Sequence, residues 1–81
     1  MNRKRLTEEA EGDCYITARG IRRLMCEKDL KQRDVARDAG FTEQQMSDML
    51  AGRKRILADY IARIASAMDV TAQDIFDAGG N

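Results

Sequence analysis

Gln44, Ser47 and Asp48, followed within a few residues by Arg53-Lys54-Arg55, form the stretch of this chain richest in directed polar chemistry. An amide, a hydroxyl and a carboxylate spaced three and four apart share one side of a helix, where they can exchange hydrogen bonds with a flat polar surface. Three consecutive cations supply attraction for a polyanion without geometric selectivity. Catalytic chemistry is poorly provided for. The chain has no His, and Cys14 and Cys26 have neither metal-ligand spacing nor a base to activate them, so they read as free thiols in a reducing compartment. The scattered Asp and Glu read as helix-surface charges, and no enzyme activity, metal, cofactor or small-molecule site is expected.

Short helices must position these groups. The chain has 81 residues and no Pro, with 43% hydrophobic and 35% charged residues, a balance that fits one small helical domain better than disorder or a β-sandwich. No apolar run approaches the length of a membrane span, and the charged N-terminus lacks a signal-peptide core, so the expected location is the cytoplasm. Residues 1–16, MNRKRLTEEAEGDCYI, show no sustained apolar period and read as a flexible N-terminal arm, with Tyr15 and Ile16 packing on the domain. Thr17 is expected to cap a first helix that buries Ile21, Leu24 and Met25 and ends near Lys28 or Asp29.

A second helix is expected from Gln32, burying Val35, Ala36 and Ala39 and stopped by Gly40 in the left-handed conformation. Phe41 plugs the corner, and Thr42 with Gln45 forms a capping box for a third helix. At about 100° per residue, Met46, Met49 and Leu50 gather on its inner side, while Gln44, Ser47, Asp48 and Ala51 face outward. Gly52 ends it. A fourth helix buries Leu57, Tyr60 or Ile61, Ile64, Ala65 and Met68, with Ile56 at its start. Thr71 caps a short fifth helix anchored by Ile75 and Phe76, and residues 78–81 read as a disordered tail. The initiating Met and the full five-helix pattern lead to the expectation of a whole protein rather than an excised piece.

Charge is segregated along the chain. Residues 1–16 carry three cations and four carboxylates, residues 17–68 eleven and seven, and residues 69–81 none and three, giving −1, +4 and −3. A basic body with an acidic tail permits nucleic-acid binding without requiring it.

The segment LKQRDVARDAGFTEQQMSDMLAGRKR resembles the helix-turn-helix of the phage repressor and Cro family, the XRE-like transcriptional regulators. Gln32, Val35-Ala36, Gly40, Thr42 and Gly52 carry the likeness, together with the register of residues 64 to 76. The resemblance covers residues 17–77 and implies an all-α, five-helix, lambda-repressor-like DNA-binding domain. It places the third helix in the major groove of double-stranded DNA. Carried over by position, Glu43, Gln44, Ser47 and Asp48 are the expected base readers. Gln44 suits adenine, and the two carboxylates suit the cytosine amine. Gln32, Lys31, Thr42, Gln45, Arg53, Lys54 and Arg55 are the expected phosphate contacts. The cluster Asn2 to Arg5 resembles the basic arms with which some members embrace the duplex.

Two departures from the family pattern stand out. Lys31 replaces the usual Ser, Thr or Asn before the second helix, weakening that cap. Met25 and Leu50 occupy positions where many relatives bury an Arg-Glu pair, a replacement compatible with the fold. The resemblance implies a sequence-specific regulator, a repressor of phage, prophage or mobile-element type, binding a palindromic operator as a homodimer. The expected dimer contact lies around Met68, Val70, Ile75 and Phe76. The acidic recognition face and zero net charge keep a second reading open, a protein-binding module such as an antitoxin or phage accessory factor with weak DNA affinity.

Overall fold

The computed structural model describes residues 2–80, with side chains from residue 15 to residue 80. Five helices follow in order: α1 (Asn2–Glu27), α2 (Gln32–Ala39), α3 (Glu43–Leu50), α4 (Ala58–Ala67) and α5 (Ala72–Gly80), with no strand among the described residues. Their apolar faces meet in one core. Ile21 of α1, Val35 of α2, Met46 and Met49 of α3, Ile64 of α4, Met68 just after it and Ile75 of α5 are its largest fully buried side chains. Three of these seven are Met, whose unbranched thioether chain fills the irregular space where short helices converge.

The first helix departs most from the sequence expectation. It begins at Asn2, so the arm boundary at residue 16 does not coincide with a helix start, and Thr17 is a buried interior residue rather than a cap. Residues 2–11 are rich in Arg, Lys, Leu, Glu and Ala, all good helix formers. Once the packed half of α1 has formed, each residue added to it fixes one set of dihedrals and gains one hydrogen bond, so propensity suffices where apolar period is absent. The proposed duplex contacts of Arg3, Lys4 and Arg5 concern side chains outside the described ones. Tyr15 is exposed rather than packed, and Ile16 is half-buried.

The tail expectation is also corrected: α5 runs through residue 80, and Gly79 is buried. Helices α1 and α5 make the most extensive contact in the fold. Their backbones approach at Gly20 and Gly79; a Cβ on Gly20 would collide with the Ile75 carbonyl, and one on Gly79 with the Ile16 carbonyl. The paired glycines that resemble a fraying terminus are a helix-packing site.

Four helix ends share one chain reversal. After α2, Phe41 N–H donates to Ala36 O (2.8 Å) and Gly40 N–H to Arg37 O (3.1 Å), with Gly40 at φ 85°. This is the Schellman pattern, which satisfies terminal carbonyls through a left-handed residue. The same pair of bonds recurs around Asp29 (φ 56°), Gly52 (φ 84°) and Asp69 (φ 59°). Apolar positions otherwise follow the expected faces, including Met25 and Leu50, both buried. Leu57 and Phe76 are exceptions: Leu57, at the extended residue before α4, is exposed and Ile56 enters the core in its place, while Phe76, expected to anchor α5 beside Ile75, is exposed as well. Met68 and Ile75 are 1% and 0% exposed, which removes them from the expected dimer contact and leaves half-buried Val70 and exposed Phe76.

Candidate nucleic-acid interface

The turn from α2 to α3 is held from both sides. Thr42 Oγ1 accepts from Gln45 N–H (3.0 Å) while Gln45 Oε1 accepts from Thr42 N–H (2.9 Å), completing the expected capping box. Phe41 meets Tyr60 of α4 edge-on, with centroids 5.1 Å apart, and the Arg63 guanidinium lies 4.2 Å above the Phe41 ring. Arg63 also donates through Nε to Ala39 O (2.9 Å) and through Nη2 to Gly40 O (3.1 Å), covering the carbonyl end of α2. The N-terminus of α3 is thereby fixed relative to α2 and α4.

Arg63 was not anticipated as a functional or structural cation, and it is not alone. Arg22 of α1 donates to Leu50 O at the end of α3 (2.7 Å), and Arg23 donates to Ala78 O near the end of α5 (2.9 Å). A cation at a helix C-terminus satisfies an orphan carbonyl and complements the helix dipole. Three arginines of the basic middle segment therefore hold helix ends. These partners lie 23 to 55 residues away, so no local signal could have revealed them.

The outward face of α3 carries a linked set of side chains. Gln44 Nε2 donates to Asp48 Oδ1 at 2.9 Å, and Arg53 Nε donates to the same oxygen at 3.0 Å. The Gly52 reversal makes this reachable, because Arg53 and Lys54 N–H both return to the Asp48 carbonyl (2.8 and 3.1 Å). The Arg53 guanidinium, with the Gln44 amide, holds the Asp48 carboxyl below its ordinary value. Asp48, expected to face a base alone, is thus already compensated within the protein. The Asp48-Gly52-Arg53 spacing was a usable signal for this pair.

Among the other expected site residues, Lys31, Gln32, Thr42, Glu43, Gln44, Gln45, Arg53 and Arg55 are exposed, and Ser47, Asp48 and Lys54 are half-buried. Lys31 is extended and makes no side-chain cap bond, as its chemistry implies. Lys54 Nζ lies 5.7 Å from the centre of the Tyr60 ring, so this cation leans toward α4. Cys26 is an exposed free thiol, while the Cys14 side chain lies outside the described ones. No described helix is long and apolar enough to cross a membrane.

The polar face on α3, the turn before it and the cationic loop after it fit a helix-turn-helix, and comparison with known proteins gives the same result. A search of curated proteins found no match. Among solved structures, the chain is similar to the clp gene regulator ClgR from C. glutamicum, with a TM-score of 0.77 at 16% identity over 83% of this chain and 87% of that one. That likeness is one of fold. The family model of the Cro/C1-type HTH DNA-binding domain matches residues 20–78, most of the chain, and the protein belongs to that family of helix-turn-helix DNA-binding domains.

Proposed function

We propose that this protein is a sequence-specific transcriptional regulator, a repressor of phage, prophage or mobile-element type, that binds a palindromic operator as a homodimer. The observation that carries the reading is the outward face of α3, where Gln44, Asp48 and Arg53 form one hydrogen-bonded set with no large apolar side chain beside it. Glu43, Gln44 and Ser47 are the proposed base readers, each exposed or half-buried on the first two turns of α3. A single recognition helix spans few base pairs, which favours two protomers on half-sites about one helical turn apart.

The proposed phosphate contacts follow from what each group has left to donate. Thr42 Oγ1 accepts within the capping box and keeps its own proton, and Gln45 uses its carbonyl there and keeps its N–H groups. Gln32 joins them at the N-terminus of α2, where free backbone amides favour an anion. Lys31 and Arg55 are exposed cations without an ion pair among the described residues, whereas Arg53 is committed to Asp48 and Lys54 leans on Tyr60. Lys31 and Arg55 therefore lead the phosphate contacts, and Arg53 and Lys54 contribute less.

Selection of bound duplexes from a random library tests the reading. An enriched palindrome, with two protomers per site by sedimentation, is the expected result. Absence of enrichment at low salt would overturn it in favour of the partner-binding module.

A further inference from the structure

The amide of Gln44 is not free to choose its orientation. A carboxylate only accepts hydrogen bonds, so the atom of Gln44 that meets Asp48 Oδ1 must be its nitrogen, and the 2.9 Å contact fixes which end of the amide faces Asp48. Arg53 Nε, 3.0 Å from that same oxygen, holds the carboxylate in turn and keeps it ionised. Gln44 is exposed and projects from the first turn of α3 with one N–H engaged. Its remaining capacity is one N–H donor and the carbonyl acceptor.

That remainder has a definite complement. In the major groove adenine presents one acceptor, N7, and one donor, the N6 amine, whereas guanine presents two acceptors, N7 and O6. A Gln with both N–H groups available can turn its nitrogen to guanine; one whose nitrogen is tied at the side cannot offer two donors. From this juxtaposition we propose that Asp48 is a positioning residue that makes Gln44 select adenine over guanine, with Arg53 bracing Asp48 rather than a phosphate. The inference rests on the DNA-reading function proposed above and names the device that sets its specificity at one base pair.

The same device accounts for a carboxylate on a surface facing a polyanion. Asp48 brings a negative charge that phosphate disfavours, and Arg53 cancels it at close range. Removal of Asp48 alone therefore releases a cation as well as an amide. Affinity for all duplexes should then rise or hold while discrimination falls, a combination that loss of a direct base contact does not produce.

The experiment uses the full chain and the duplex enriched from the random library, with the adenine facing Gln44 located by its loss of preference in Gln44→Ala. Binding of wild type, Asp48→Ala, Arg53→Ala and the Gln44→Ala/Asp48→Ala double variant is measured on duplexes with A or G at that position. Thermal unfolding confirms that each variant is folded. Asp48→Ala should reduce the A-over-G ratio about tenfold, within the range one good base contact supplies, without weakening binding to the G duplex. In the Gln44→Ala background, Asp48→Ala should leave the ratio unchanged. Arg53→Ala should weaken both duplexes and narrow the ratio only partly. An A-over-G ratio unchanged by Asp48→Ala would overturn the inference while leaving the regulator reading intact. So would loss of preference at a different base pair, which would make Asp48 a direct reader. A wild type that enriches no sequence would overturn the functional reading and this inference together.

Discussion

Helices α1 and α5 are joined backbone against backbone, whereas the α2-turn-α3 half is held at its helix ends by side chains and caps. Glycine serves a different need in each. Gly20 lies inside a helix that any residue could extend, but a Cβ there has nowhere to go because the Ile75 carbonyl occupies the space. Gly40 has more room, its nearest neighbour being the Arg63 guanidinium at 2.8 Å from a Cβ, but its φ of 85° is one L side chains resist. The scaffold half is limited by volume and the site half by dihedral angle. A close-packed crossing cannot relax without moving two helices, while a flexible Arg at a turn can be displaced.

The largest effect that sharpens this contrast is expected from Gly20→Ala. One methyl group at the crossing should destabilise by about 3 kcal/mol or more, at the upper end of overpacking changes. Gly40→Ala should cost about 1 to 2 kcal/mol from the left-handed conformation, and somewhat more if Arg63 loses its bonds to Ala39 and Gly40. Gly52→Ala, at φ 84° with nothing near its Cβ, isolates the backbone contribution and should cost about 1 kcal/mol. Urea unfolding of the three variants gives the order. Equal losses at Gly20 and Gly52 would dissolve the distinction between the two halves.

How far each half was legible follows from the range of its interactions. The capping box at Thr42 and Gln45, the Gly40 reversal and the inward faces of α3 and α4 depend on residues within a few positions of one another, so their chemistry is written locally. The arginine caps from Arg22, Arg23 and Arg63 depend on partners brought together only by folding. Gly79 looked like a tail because nothing local marks the helix lying across it. In the candidate site the residue types alone made Arg53 and Arg55 equivalent, and the signal that separates them is the local Asp48-Gly52-Arg53 spacing, since the Gly52 reversal turns Arg53 onto Asp48.

That allocation can be tested by salt dependence. Arg55→Ala should weaken binding to every duplex and reduce the slope of log affinity against log salt by about 0.9, the release of roughly one counterion. Arg53→Ala should weaken binding with a smaller change in slope, since in the wild type its charge is offset by Asp48. Filter binding between low and moderate salt separates them. Identical slopes for the two variants would mean that Arg53 leaves Asp48 for a phosphate on binding.

A smaller effect distinguishes helix ends that share the same reversal. Asp69 closes α4 at φ 59° as Gly40 closes α2, but it sets a carboxylate beside carbonyls that already carry negative partial charge. Asp69→Asn keeps a side chain tolerant of the left-handed region and removes the charge, so it should stabilise by about 0.5 kcal/mol. The gain should shrink in high salt, where the dipole is screened. A gain that persists unchanged would assign it to local hydrogen bonding.

The smallest expected change is in the titration of Asp48, and it bears on whether the site half behaves as one hydrogen-bonded unit. Hydrogen bonds from Arg53 and Gln44 stabilise the ionised carboxyl, so its folded-state value lies below the ordinary 3.8. Because the folded value is the depressed one, the interaction contributes above the unfolded value and is lost as pH falls through the lower folded value. Nothing should therefore change between neutral pH and mild acid, and a carboxyl carbon titration by NMR should place the midpoint below 3.8. Arg53→Ala should move it most of the way back, and Gln44→Ala by a smaller step, matching the order of their contributions. If Gln44→Ala leaves the midpoint where it is, the amide is not held by Asp48 in solution, and the site half would be a set of independent side chains on a fixed helix.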